Sequence, residues 1–352
     1  GIRLMAYSTI PKGSLYMNAK LYTGDGAASH AITGVGFQPD WVWLKNRSGA
    51  DNNSLNDVVR GANKNLVSNN ANSEATTTDQ LMSFNSDGFT VGASGSANTN
   101  GNNFVGWNWK AGTAVSGSTT GSGTAKTYTG SVNTTSGFSI IKYTGNGTAG
   151  HTIPHHLGAA PQMVIVKALS TNDDWMVGHT AAGFNQFMIL NSTARDATGT
   201  QFNSTVPTSS VFSIGSNNNM NQNDNSFIAY SFTNIKGFSK FAGYTGNNNA
   251  DGPFIYTGFK PAFVLLKNVS SSGNWVIQDN KRPGYNLTAK RLQPNVNTAE
   301  ETDSGIDLLS NGFKIRSTGS YQNDAEDYLY AAFAENSFVA TSGTSAIPVT
   351  AR

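Results

Sequence analysis

The chain has no cysteine, few charges and no long apolar run, and each absence removes a class of function. Without cysteine there are no disulfides, no thiolate nucleophile and few ways to build a structural zinc site, so the fold stands on packing alone. Charged residues make up 12% of the 352 residues, against about 25% in ordinary soluble proteins, and Asn, Ser, Thr and Gly take their place. The surface is therefore polar without being ionic. The net charge is +2 with Lys and Arg scattered, so there is no basic stripe to neutralise phosphates and nucleic acid is not an expected partner. No stretch approaches the roughly 20 apolar residues that span a bilayer, and no basic-then-apolar export pattern opens the chain, so neither membrane insertion nor a leader is expected. Met5-Ala6-Tyr7 reads as a natural start after Gly1 to Leu4.

What is present is threefold repetition. Gly36-Phe37-Gln38-Pro39-Asp40-Trp41-Val42-Trp43-Leu44-Lys45 returns as Leu157 to Lys167 and again as Gly258 to Lys267, each preceded by Tyr-Thr-Gly at Tyr22, Tyr143 and Tyr244. Each copy is followed by a turn and strand (Asn85 to Gly92, Ser210 to Gly215, Ser310 to Ile315) and closes on an aromatic run: Phe104 to Trp109, Phe227 to Phe232 and Tyr328 to Phe333. Four landmarks in one order, three times, mark an internally duplicated unit of roughly 100 residues.

Short apolar runs rich in β-branched and aromatic residues, bounded by Gly, Asn, Asp and Pro, predict strands and turns throughout. The runs beginning at Trp41, Met163 and Phe263 are continuous rather than alternating, which predicts strands covered on both faces. The expected fold is all-β, with three tandem β-sandwich or jelly-roll-like modules. The divisions are an N-terminal segment 1–20, modules at 21–110, 137–241 and 242–340, a Gly/Ser/Thr-rich linker 111–136 and a tail 341–352. The linker should make the first joint looser than the second. Helical spacing is confined to Ala299 to Asp303 and Leu329 to Glu335, each long enough for a turn or two.

Few residues invite a chemical role. His151, His155 and His156 have metal-ligand spacing, but the other copies lack them, and isolated histidines such as His30 and His179 are usually hydrogen-bonded structural groups. Asp173-Asp174 and Glu300-Glu301 are adjacent carboxylates; adjacent residues of a strand face opposite ways, so neither pair can flank a scissile bond, and solvated turns are expected. Asp25-Gly26, Asp87-Gly88 and Asn311-Gly312 read as turn chemistry, and Gly145-Asn146-Gly147-Thr148 lacks the ending and helix of a phosphate loop. The Asn46-Arg47-Ser48 and Asn191-Ser192-Thr193 triplets are expected by accident in so Asn-rich a chain. Trp41 with Trp43, and Trp107 with Trp109, share a strand face in each pair, as in sugar-stacking platforms, but Met163, Ile165, Phe263 and Leu265 at the matching positions favour a core. No catalytic, cofactor or metal residues are assigned, and the ligand-binding residues are unknown.

Met5 to Asn18, Leu21-Tyr22-Thr23-Gly24, Gly36 to Asp40, Gly252 to Pro261, Asn274 to Arg282 and Tyr330 to Asn336 together resemble structural proteins of marine bacteriophages of the cyanophage type. The likeness covers most of the chain and is weakest in the linker. It implies a non-enzymatic component of the virion surface: a fibre, appendage or capsid decoration serving attachment or assembly. Other virion proteins, host-surface glycan and a homotrimer are the partners expected. The Tyr328 to Phe333 strand is the candidate for lying near that contact, core burial being equally compatible with it. A carbohydrate-binding, lectin-like protein using the Trp pairs is the alternative, and a glycoside hydrolase ranks third, needing two carboxylates brought into one cleft from distant parts of the chain.

Overall fold

Neighbouring residues of a strand point to opposite faces, so a continuous apolar run supplies both faces with something to bury. In the computed structural model, which describes residues 8–10, 12–319 and 321–336, both faces are indeed covered. In Trp41–Asn46 the Trp41 and Trp43 rings enter a central core, while Val42 and Leu44 enter a second core belonging to the first repeat. Met163 and Ile165 alternate with Val164 and Val166 in the same way, and Phe263 and Leu265 with Val264 and Leu266. The central core is common to all three repeats.

The fold is all-β, as the pattern predicts. Each repeat builds a large antiparallel sheet with one strand order: Met17–Thr23, Asn103–Trp109, Trp41–Asn46 and Ser54–Asp57 in the first. Phe138–Thr144, Ser226–Phe232, Met163–Ala168 and Met176–His179 repeat that order, and so do Ser239–Thr245, Asp327–Ala334, Pro261–Asn268 and Val276–Asp279. The registers agree, with Trp43 opposite Trp107, Ile165 opposite Tyr230 and Leu265 opposite Ala331. A small sheet packs over the outer face of each, carried by His30–Thr33, His151–Pro154 or Phe254–Tyr256. The repeats are thus not three separate cores in a row, because the inner faces of all three large sheets meet in one. A void of about 20 Å³ remains between Trp41, Trp109, Met163, Phe232, Phe263 and Phe333.

The Tyr-Thr-Gly landmark is a structural lock. Tyr22 stacks on Phe104 at 5.1 Å, Tyr143 on Phe227 at 5.3 Å and Tyr244 on Tyr328 at 5.0 Å. Their hydroxyls donate to the carbonyls of Ala97, Met220 and Gln322, each at 2.7 Å. A buried Asn beside each carbonyl accepts the amide after the glycine: Asn98 from Asp25, Asn221 from Asn146 and Asn323 from Asn247. The glycine is required by close approach, since a Cβ on Gly246 would lie 2.0 Å from the Asp324 carbonyl oxygen.

Contacts between repeats run in a ring. The buried Lys45, Lys167 and Lys267 at the ends of the central strands donate to the carbonyls of Asn297, Ala71 and Thr193 respectively, each in a different repeat from its own. At one equivalent position, Trp175 and Trp275 donate their indole N–H groups to Val67 and Ile189, and Asn53 closes the circle onto Val296. In the opposite sense, Asp57 accepts from the Tyr230 hydroxyl and Asp279 from the Trp107 indole, while His179 bonds the Tyr330 carbonyl. Asp57 and Asp279 are each held by a buried arginine three residues on, Arg60 and Arg282.

Several expectations fail here for identifiable reasons. The 111–136 segment is not a loose linker: it forms Thr113–Ser118, Thr120–Gly121 and Thr127–Asn133, and the Thr127–Asn133 strand pairs along the edge of Phe138–Thr144. Ser and Thr suit an exposed strand whose ladder needs only backbone groups, which composition cannot distinguish from a tether. The two helical stretches are strands, Glu301–Leu309 and Asp327–Ala334; among the described residues the short helices are Gly13–Leu15, Gly95–Asn98 and Asn218–Asn221 instead. For Tyr328 to Phe333 the structure selects the core alternative, since the strand is buried in the middle of its sheet between two partner strands. The Met5 start and the 341–352 tail lie outside the described residues.

Candidate functional site

The residues singled out for chemistry are engaged in holding the fold. His151 shares Nδ1 between Asn146 and the Ser122 carbonyl, His155 bonds the Thr208 carbonyl and the Leu157 amide, and His156 meets the Tyr128 hydroxyl at 2.8 Å. Burial lowers the pKa of His155 and His179 to about 4, so both are neutral hydrogen-bonding rings at neutral pH. Among the described residues no three His, Asp or Glu side chains gather closely enough to hold a metal ion. The Asn46 and Asn191 side chains are held by internal hydrogen bonds.

Of the carboxylates, Asp173 accepts from Thr171 and Asp174 from Asn191, as turn residues do. Glu300 is a correction. It is nearly buried and grips Arg47 of the first repeat through two hydrogen bonds at 2.8 and 2.9 Å, a contact between residues 253 apart that sequence spacing cannot show. Asp87 does more than turn the chain, since its carboxylate accepts the amides of Gly34 and Gly36 and clamps the neighbouring loop. All four tryptophans of the proposed platform are buried, with Trp41 at 1% and Trp109 at 3% exposure, so they belong to the core and cannot stack on a sugar.

The exposed aromatic surface lies elsewhere, and the repeats locate it by comparison. Ile32, Ile153 and Ile255 are equivalent inward residues, opposite Phe89, Phe212 and Phe313. The outward positions flanking them are Ala31 and Thr33 in the first repeat and Thr152 and Pro154 in the second. In the third they are Phe254 and Tyr256, 45% and 55% exposed. Phe254 lies over Gly312 of the next strand, and Lys240 stands 5.2 Å over the Tyr256 ring while donating to its carbonyl. Tyr285 and Leu287 are exposed in the same repeat. Neither tyrosine has a tryptophan-like signature in sequence; only the alignment of the three copies with their registers would have found the pair.

A groove of about 600 Å³ opens between the second and third repeats, lined by Ala181, Ala182, Asp196, Gly243, Tyr244 and Asp327 among others. Two carboxylates from distant parts of the chain therefore share one depression, as a glycosidase would need. Burial raises the Asp196 pKa, and Asp327 accepts the Thr245 hydroxyl at 2.7 Å.

A family profile matches residues 12–337. The chain belongs to DUF7483, a domain of unknown function. In this DUF7483 chain the match takes in all three repeats and both candidate surfaces. No curated protein and no solved structure matches it.

Proposed function

We propose that this DUF7483 protein is a non-enzymatic structural component of a phage particle exterior, working in attachment or assembly, as a homotrimer in contact with other virion proteins. The observation that carries the reading is the Phe254 and Tyr256 pair, aromatic and exposed where the equivalent positions of the other repeats are small. Exposed aromatics on a rigid sheet are the usual anchors of an interface, because they bury large area at low entropic cost. The polar, weakly charged surface suits contacts in saline water, where ionic attraction is screened within a few ångströms. Locating the chain in a density map of the intact particle tests the placement, and light scattering tests the trimer. Absence from the particle exterior would refute the reading, as would a Phe254→Ala/Tyr256→Ala variant whose particles assemble and adsorb normally.

The second reading is a carbohydrate-binding protein. The same exposed Phe254, Tyr256 and Tyr285 rings favour it, in place of the buried tryptophans. A glycan array that lights up with the native chain and goes dark with the double variant would select it over assembly.

A further inference from the structure

The 111–136 insertion shows what the sandwich edges accept. In the second repeat its Thr127–Asn133 strand extends the large sheet by pairing with Phe138–Thr144, and its Thr120–Gly121 strand pairs with His151–Pro154 at the edge of the small sheet. One Ser/Thr/Gly-rich segment thus covers both edges of one side of the sandwich. The third repeat has the same two edges, Ser239–Thr245 and Phe254–Tyr256, each last in the strand order of its sheet. Ile235 bridges Ser239 at the start of the first edge and Lys240 reaches the Tyr256 carbonyl at the end of the second, but no described strand pairs beside Gly243 and Thr245 or along Phe254–Tyr256.

The uncovered edge carries usable hydrogen-bonding groups. Phe241 donates its backbone N–H to the Asn234 side chain at 2.8 Å, away from the Asp327–Ala334 strand, so by the alternation of antiparallel pairs Gly243 also directs its N–H and C=O outward. Gly243 is exposed and lines the 600 Å³ groove. Its equivalent, Lys142, faces Thr129 of the added strand in the second repeat. The opposite wall also differs between repeats. Val59, Ala181 and Lys281 are equivalent residues, each two positions after a side chain that accepts its amide, and the wall facing Gly243 is the alanine. Space, open backbone groups and flanking aromatics coincide at this edge.

We infer that the third repeat is a strand-addition site, taking an extended, uncharged, Ser/Thr/Gly-rich segment of another polypeptide beside Gly243 and Thr245, the end of the edge that Ile235 and Asn234 leave open, as the insertion does along Phe138–Thr144. Main-chain bonds would supply the attraction, and Phe254 and Tyr256 would flank the incoming segment at the second edge. The site does not depend on the virion reading, since any partner offering such a segment would fit.

The test uses the full chain and a fluorescent peptide of its own residues 112–134. Saturable binding is expected, with slowed amide exchange at Gly243 and Thr245. Gly243→Pro removes the outward N–H without breaking a bond to Asp327–Ala334, and Ala181→Lys narrows the groove from an exposed position in the second repeat that makes no ladder bond to Ser239–Thr245. Each should weaken binding at least tenfold while leaving the circular dichroism spectrum unchanged. No binding to the native chain, or equal binding to both variants, would overturn the site. Self-association of the native chain that disappears in Gly243→Pro would make a second copy the occupant and overturn the assignment to a foreign segment.

Discussion

Replacing Phe263 with Ala distinguishes a shared core from three independent ones. The Phe263 ring stands edge-on to Trp107 and Trp109 of the first repeat at 6.0 and 5.5 Å and to Phe333 of its own at 6.0 Å. Truncating a buried Phe to Ala costs about 3–5 kcal/mol, through lost transfer energy and the cavity left behind. The size of the melting shift depends on how much of the chain unfolds together. With about 2.1 cal/mol/K of unfolding entropy per residue, a chain of 352 residues melting as one unit has about 0.7 kcal/mol/K, so a 4 kcal/mol loss lowers the midpoint by about 5 °C. A third repeat of roughly 100 residues melting by itself would have about 0.2 kcal/mol/K and move by about 20 °C, leaving two other transitions in place. Scanning calorimetry should therefore show one transition, shifted whole and modestly. Separate transitions, with only one of them displaced far, would refute the shared core.

The buried lysines make stability depend on alkaline pH in an unusual direction. Burial lowers the pKa of Lys45, Lys167 and Lys267 to about 8, so above that value the folded chain has released protons that the unfolded chain still holds; stability should rise from about pH 8 towards 9.5, where buried tyrosines begin to oppose it, and Lys267→Met should remove one of the three contributions and make the rise shallower in a denaturant titration. Asp279 is buried, and although burial opposes its charge, Arg282 and the Trp107 indole hold its pKa below the usual carboxylate value. Asp279→Asn should cost about 3–5 kcal/mol by leaving the buried guanidinium with only the longer Glu300 contact at 3.4 Å, and adding Arg282→Met should recover part of that in a double-mutant cycle. Tyr143→Phe removes a buried hydroxyl donor from the Met220 carbonyl and should cost about 1–3 kcal/mol in urea unfolding, with Tyr244→Phe behaving alike at the Gln322 carbonyl.

The strand landmarks were legible because burial on two faces leaves a continuous apolar run, and because the three copies substitute Trp, Met and Phe at one position as a core permits. The lock after each Tyr-Thr-Gly was half legible. The Tyr and Gly recur at fixed places, but the Asn that completes it lies some 75 residues on and is buried only through tertiary contact. The linker was misread because a strand that adds to an existing edge draws its order from the neighbour's backbone, and Ser, Thr and Gly leave no apolar trace of that pairing. Glu300 was misread for a related reason, its partner Arg47 being supplied by ring closure rather than by local sequence. The exposed aromatics were present in the sequence, yet nothing distinguishes a surface Tyr from a core Tyr until the register assigns each to a face.

A ring of three repeats within one polypeptide has a freedom that a ring of identical subunits lacks. When separate copies of one sequence assemble, every alteration is stamped on all of them at once. Here each third mutates alone, so the second can acquire a covering hairpin and the third an aromatic face while the first keeps neither. The continuous chain retains the packing advantage of symmetry and gives each side of the molecule its own identity, so one specialised face can be altered without altering the other two.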